Sequence, residues 1–287
     1  MGLGLHTNLL SLDSQRNLKE TTGRLNQAFQ RLSSGLRVNK SSDDAAGLGI
    51  AEGLRGDVRV AAVSIRNASE GISLISIADG ALSQISNILN RLLELAQQAA
   101  TSTYSNQQRS AIHDEYVALS SEVQRLAETT SFNGFKLLSS GDQIAFQVGF
   151  DGGSISSVAF SGIQATLSFL GLADSLTGAL TYSLVSETED DSVLGARLAV
   201  DALTAAITGL NKSRGALGAT QSRLEATIRS LQVARENMQS TQSAIMDADV
   251  AEESAELARL SVQQQAGTAL LAQANLQPRL VLELLRG

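Results

Sequence analysis

The 287-residue sequence has no cysteine, no tryptophan and a single proline, and only three tyrosines and seven phenylalanines. Each shortage excludes something. Without cysteine there is no disulfide framework, no thiolate metal site and no thiol nucleophile. Average usage of about 5% would give roughly 14 prolines, so Pro278 standing alone predicts few loops and long uninterrupted helices. With aromatics at 3%, core volume has to come from aliphatic seams between helices rather than from one thick globular core. Positive charge is also short: 22 Lys and Arg stand against 29 Asp and Glu, a net charge of −7. That balance argues against a general nucleic-acid binder and supplies no basic patch for an anionic membrane. No run nears the ~18 uninterrupted apolar residues of a membrane-spanning helix. The opening Met1-Gly-Leu-Gly-Leu-His-Thr-Asn8 lacks the basic region, apolar run and cleavage site of a secretory signal peptide. A protein with this start that works outside the cell is expected to leave by a route that reads no cleaved signal.

What is present is helical periodicity. Ile75, Ala78, Leu82, Ile85, Leu89, Leu92, Ala96 and Ala99 follow an unbroken 3,4 alternation, the seam of a coiled coil. Leu74, Ile77, Ala81, Ile88 and Leu95 run beside it, and two adjacent stripes make a face broad enough for more than one partner helix. Ser41 and Asp44 have the spacing of a capping box. A helix from Asp43 to Ala100 would then be roughly 87 Å long at ~1.5 Å per residue, against a radius of gyration near ~19 Å for a compact chain of this size. That predicts a rod unless Gly47, Gly49, Gly53, Gly56 and Gly71 break the helix. A second helix is predicted from about Gln108 to Glu128 on Ile112, Tyr116, Leu119, Val123 and Leu126. Phe132-Asn-Gly-Phe135 then offers the Asn-Gly pair suited to a tight hairpin. Between Ser139 and Glu189 alternation predicts short strands at Ile144–Phe150, Ile155–Phe160 and Leu180–Val185. From Ser192 helix resumes to about Met246 on Leu194, Leu198, Leu203, Ile207, Leu224, Ile228, Leu231 and Met238. A last helix starts at Val250 with Leu257, Leu260, Gln264, Gly267, Leu271 and Ala274 at heptad spacing.

Catalytic chemistry fails on inventory. The two histidines, His6 and His113, have no sequence reason to meet. Gly47-Leu-Gly49-Ile-Ala-Glu-Gly53 has one residue too many for a dinucleotide-binding loop and follows no strand. The acidic run Glu187-Thr-Glu-Asp-Asp191 lacks the alternating ligands and central glycine of a calcium loop and reads better as a solvated turn. Asp247 and Asp249 fit a helix start whose acids complement the dipole. No enzyme, no cofactor and no metal is expected.

Several blocks carry a resemblance. Leu32-Ser-Ser-Gly-Leu-Arg-Val-Asn39, Asp43-Asp-Ala-Ala-Gly-Leu-Gly-Ile-Ala51, Arg66-Asn-Ala-Ser-Glu-Gly-Ile-Ser73 and Leu89-Asn-Arg-Leu-Leu-Glu-Leu-Ala-Gln-Gln98 resemble the N-terminal signature of bacterial flagellins. Leu217-Gly-Ala-Thr-Gln-Ser-Arg-Leu224, Ile245-Met-Asp-Ala-Asp249, Gln264-Gln-Ala-Gly-Thr-Ala-Leu-Leu-Ala-Gln-Ala-Asn275 and Val281-Leu-Glu-Leu-Leu-Arg286 resemble the C-terminal one. The resemblance covers roughly residues 1 to 140 and 195 to 287, leaving about fifty residues where family members often carry large outer domains. It implies a short flagellin: a mainly α fold, an elongated helical bundle or coiled-coil rod built from both halves, with a small β-hairpin-rich central insertion. The expected domains are residues 1–42 with 249–287 as the terminal, filament-core part, 43–138 with 192–248 as the helical rod, and 139–191 as its β-rich centre.

The family implies a subunit that polymerises into the extracellular flagellar filament, a propeller for motility. Its implied partners are other copies of itself, an export chaperone on the C-terminal helix (residues about 250 to 287), the flagellar type III export apparatus, the filament cap and the hook-filament junction proteins. Neither nucleic acid nor membrane insertion is implied. Filament-core packing is assigned to Leu9, Leu12, Leu18, Leu25, Phe29, Leu32, Leu257, Leu260, Leu271, Val281, Leu284 and Leu285. Amphipathic ends cannot bury themselves in one thin rod, so they are expected to order on assembly. Arg91, Leu95, Gln98 and Glu115 align with the family surface that meets the axial neighbour and that a Toll-like innate immune receptor recognises in many flagellins. The competing assignment for Leu95 is bundle core, with the charges as an ordinary solvated pair. A hook-filament junction or minor accessory flagellar protein is the alternative; a flagellin-like protease would need an H-E-x-x-H motif that is missing, and a coiled-coil adhesin a membrane anchor.

Overall fold

In a computed structural model of the chain, residues 8–153, 156–174, 177–186 and 188–284 are described, with side chains up to residue 276. Five helices and two small antiparallel sheets are found among them: α1 Leu9–Ser34, α2 Ala45–Ala99, α3 Asn106–Thr129, β1 Ser131–Phe132, β2 Phe135–Lys136, β3 Gln143–Gln147, β4 Ser157–Ser161, α4 Glu189–Met246 and α5 Val250–Leu284. The fold is mainly α with a small β insertion, as the sequence predicts. Residues 1–58 with 236–287 form one compact unit and residues 59–235 another. These divisions lie inside α2 and α4, whereas the sequence places its boundaries at the loops around residues 42 and 249.

The first unit is organised by caps. The Asn8 side chain accepts the Ser11 amide to start α1, and Gly35 ends it at φ 71°, donating its N–H to the Arg31 carbonyl. α2 starts at Ala45, not Asp43. Asp44 rather than Ser41 caps it, accepting the Gly47 amide at 2.8 Å, because Asp43 is occupied with the amides of Asn39 and Lys40. Asp249 caps α5 through the amides of Ala251 and Glu252, and Glu252 and Glu253 follow in its first turn, where the dipole favours acids. The two connections are tied together: Arg37 N–H donates to Met246 O, Ala248 N–H to Gly35 O, and Val38, Ala51 and Met246 form a small core.

In the second unit, every residue of the predicted α2 seam from Ile75 to Ala99 is buried. The five glycines do not break α2, which runs 55 residues, about 82 Å at ~1.5 Å per residue. Gly71 shows one reason to keep a residue that costs about 1 kcal/mol against alanine: a Cβ there would lie 3.1 Å from Leu224 and Phe146. From α3 the seam takes Ile112, Tyr116, Val123 and Ala127, and from α4 Ala196, Ala199, Leu203, Leu210, Leu217 and Leu224; Leu231 is buried as well. Here one expectation is corrected. Leu194 and Leu198 are exposed, because the small residues Ala196 and Ala199 set the inward face and rotate the larger leucines outward. By composition, α2 and α4 each hold a stretch long and apolar enough to cross a membrane. Alanine, leucine and isoleucine crowd the inner face while Ile77, Leu194 and Leu198 remain outside.

The insertion packs onto this bundle. Asn133 at φ 48° and Gly134 at φ 85° make the two-residue turn between β1 and β2, pairing Phe132 with Phe135; positive φ at both central residues matches the twist of a hairpin. β3 pairs with β4 from Gln143↔Ser161 to Gln147↔Ser157. Val148, Val158, Phe160, Leu167, Leu172 and Leu184 join the main core. The third predicted strand, Leu180–Val185, is only a single bridge from Leu180 to Ala173. The acidic run is not a turn: Thr188 caps α4 by accepting the Asp191 amide, and Glu189, Asp190 and Asp191 form its first turn. Ile155 and Glu187 lie outside the described residues.

Tyr116 provides a pH test of this core. Burial, aided by the neighbouring Tyr182, pushes its hydroxyl from 10.0 up to about 12. A folded-state value above the unfolded one means the contribution is fully present below about pH 10 and is lost as pH rises towards 12, with a slope of about 1.4 kcal/mol per pH unit. The melting temperature of the wild type should therefore fall more steeply between pH 10 and 12 than that of Tyr116→Phe. Parallel profiles would contradict the assignment.

Candidate assembly surface

α1 and α5 pair antiparallel. Asn8 Nδ2 donates to Ala274 O at 2.8 Å, Ser11 Oγ to Asn275 Oδ1 at 2.7 Å and Gln264 Nε2 to Thr22 Oγ1 at 3.3 Å. Arg31 lies 3.8 Å from Glu253, and Leu18 faces Gly267. The pair is thinly buried: Ser11 and Ala28 on α1, Leu260 and Ala274 on α5. Of the assigned filament-core residues, Leu260 is buried, while Leu18, Leu25, Leu32, Leu257 and Leu271 are half-buried. Leu9 is 71% exposed, Leu12 55% and Phe29 56%, and Leu10, Val250, Val262, Leu270 and Leu276 are exposed as well. The side chains of Val281 and Leu284, and Leu285, lie outside the described residues.

On the second unit the structure brings Arg91 and Glu115 together but not Leu95. Arg91 reaches from α2 to Glu115 on α3 with Nε at 3.0 Å and Nη2 at 2.8 Å, and to Glu94 at 3.1 Å. The bonds to Glu115, then to Glu94, raise the guanidinium above its usual value. Gln98 Nε2 donates to the Tyr104 hydroxyl at 3.2 Å. Leu95 is 2% exposed and belongs to the core, since it points down the inner stripe of α2 one turn after Leu92. The exposed surface is thus Arg91, Gln98 and Glu115.

A second polar feature was invisible in the sequence. Arg109 is fully buried. Its Nε donates to Ala99 O and its Nη2 to Thr101 O, each at 3.0 Å, and its Nη1 to Asn106 Oδ1 at 3.4 Å. Ser192, also buried, donates to Asn106 Oδ1 and accepts the Ser186 amide. The end of α2 and the starts of α3 and α4 are thereby tied together. The only available signal was a lone arginine among polar residues just after the Thr101–Gln107 turn. His113 borders a groove with Val117, Leu167, Leu180 and Tyr182; His6 lies outside the described residues. Among the described residues no three of His, Asp and Glu cluster as metal ligands.

Long antiparallel helices, side-chain chemistry spent on caps and clamps, and terminal helices with open apolar faces define a helical structural protein. Comparison with known proteins agrees. Residues 5–142 match the bacterial flagellin N-terminal helical region and residues 200–285 the bacterial flagellin C-terminal helical region. A flagellin of Halalkalibacterium halodurans is 38% identical, covering 98% of this chain and 99% of the relative. One of Bacillus subtilis is 33% identical over 98% of this chain and 99% of the relative. Among solved structures, the Bacillus cereus flagellin crystal structure aligns at 27% identity over 58% of this chain and 88% of that one, with a TM-score of 0.48. The chain belongs to the bacterial flagellin family. It is a structural subunit of the flagellar filament that serves motility.

Proposed function

We propose that this subunit reaches the outside of the cell through the flagellum-specific type III export apparatus and adds to the growing filament as a purely structural, non-enzymatic part. The observation that supports the reading most is the α1 and α5 pair, which leaves Leu9, Leu12, Phe29, Val262 and Leu270 open to solvent. Each large aliphatic or aromatic side chain left exposed forgoes about 1.5 to 3 kcal/mol. Helical stability in proteins comes mostly from the packing of an apolar face, and little is buried between these two helices. The helices α1 and α5 therefore order when neighbouring subunits cover them, and the terminal segments to which they belong, residues 1–42 and 249–287, form the filament core. A heterologous contact repeated by rotation and rise gives an open polymer.

The partners follow from this reading. A chaperone covers residues 250–287 before export, and cap and hook-filament junction proteins bound the growing polymer at its two ends. The Arg91, Gln98 and Glu115 surface meets the axial neighbour and, in the free subunit, a Toll-like receptor. A chain with no cysteine and one proline suits threading through an export channel, with no cross-link to reduce and little slow prolyl isomerisation to await. Electron microscopy of the purified chain with short filament seeds in kosmotropic salt tests it. Seeds should lengthen, and backbone amides of residues 9–34 and 250–276 should gain exchange protection on assembly. A chain that stays monomeric under every condition, with those amides already protected, contradicts the proposal.

A further inference from the structure

α3 turns one side towards the second half of the insertion. His113, Val117, Ser120, Ser121 and Gln124 recur at helical spacing along that side, and with Leu167 and residues 178–183 they wall a groove of about 540 Å³. Its size falls within the ~300–1,000 Å³ of small-molecule sites. The walls are mainly apolar: Val117 is exposed by 41%, Leu167 is buried, and Leu180 and Tyr182 are half-buried. No Lys, Arg, Asp or Glu lines the groove. Most of its polar side chains are already occupied. Ser120 Oγ donates to Tyr116 O, Ser121 Oγ to Ala118 O and Ser183 Oγ to Val185 O, while Gln124 accepts the Leu167 amide and donates to Glu128. His113 is the exception. Its Nδ1 is buried and has no hydrogen-bond partner, although a polar atom buried unpaired is costly.

We infer that this groove is a binding site for a small uncharged molecule with an apolar body and one hydroxyl group, an alcohol or a phenol, whose hydroxyl pairs with His113 Nδ1. The class follows from the walls. An ion would lose its hydration and meet no counter-charge, and a wholly apolar molecule would leave the imidazole nitrogen unpaired. A hydroxyl serves whichever tautomer the ring holds, because it both donates and accepts. Val117, Leu167, Leu180 and the Tyr182 ring then cover the apolar body. A molecule seated there touches α3 on one side and residues 178–183 on the other, and so holds the two together. Binding to the folded unit alone raises its stability by mass action. It needs neither the filament nor a second subunit, and stands independently of the polymerising reading.

Two probes that differ only in the hydroxyl, 4-ethylphenol and ethylbenzene, test the site on the free full-length chain. Each is titrated in neutral buffer and followed by backbone amide shifts in two-dimensional NMR. 4-Ethylphenol should bind with a Kd below about 1 mM and move amides of residues 113–124 and 178–183. Ethylbenzene should bind about three- to tenfold more weakly, the worth of one net hydrogen bond. His113→Phe should erase that preference and leave the two probes alike. Val117→Trp, at an exposed position, should block both while circular dichroism shows unchanged helix content. Absence of shifts at these amides with 4-ethylphenol overturns the inference, as do equal affinities for the two probes in wild type, a preference kept by His113→Phe, or undiminished binding to Val117→Trp. Groove amides that move when the chain is concentrated without probe would assign the groove to a second copy and overturn it as well.

Discussion

A chain ending at Asp249 extends no filament seeds, although its residues 59–235 keep their helix content and amide protection. Removing α5 strips α1 of its partner: Asn8 and Ser11 lose Ala274 and Asn275, Thr22 loses Gln264 and Arg31 loses Glu253. These are modest interactions singly. The larger effect is apolar, because Leu18, Leu25 and Leu32, half-buried in the pair, join the already open Leu9, Leu12 and Phe29. Helical stability in proteins comes mostly from packing of the apolar face, so residues 9–34, left without α5, lose the face that a neighbour would cover. The unit of residues 59–235 is spared because its seam from Ile75 to Ala99 closes on α3, α4 and the insertion. Seeded growth read by electron microscopy, with hydrogen exchange on the monomer, separates the two units. Filaments growing at the full-length rate from the truncated chain would show that α5 is dispensable and remove the basis of the proposed assembly.

The parts of this molecule that were legible in the sequence are those where periodicity and burial coincide. The α2 seam could be read residue by residue, since eight apolar positions at 3,4 spacing leave one way to turn the helix. Asn133-Gly134 could be read because few other pairs accept positive φ twice. The inward face of α4 was misread for a physical reason: alanines and leucines alternate along it, and size alone picks Leu194 and Leu198, whereas close approach picks Ala196 and Ala199. Leu95 could be read both ways because a bundle helix carries two stripes, and only the tertiary partner decides which is covered. Arg109 was illegible altogether. A single charged side chain near a turn gives no sequence sign that it will be drawn inward, because its acceptors are backbone carbonyls, which every residue has.

That arginine carries the second large prediction. A fully buried guanidinium is costly unless its donors are satisfied, and here no carboxylate does so: the acceptors are Ala99 O, Thr101 O and Asn106 Oδ1. The first two belong to the last turn of α2 and the residues just beyond it, where unpaired carbonyls concentrate the negative end of the helix dipole. The cation therefore caps α2 from the side while holding the start of α3, and Asn106 passes the connection to Ser192 on α4. Arg109→Met keeps most of the stem and removes every donor, so it should cost about 2 to 3 kcal/mol, the penalty for leaving a buried carbonyl unpaired and losing two further bonds. Arg109→Ala adds a cavity and should cost about 3 to 5 kcal/mol. Arg109→Lys should fall between wild type and Met, because one ammonium cannot span three acceptors in a fixed fork. Urea midpoints of the variants measure the series, and amide exchange at residues 96–112 and 186–196 locates it. A methionine variant as stable as the wild type would mean that water replaces the clamp at no cost, and that the end of this unit is held by its aliphatic seam alone.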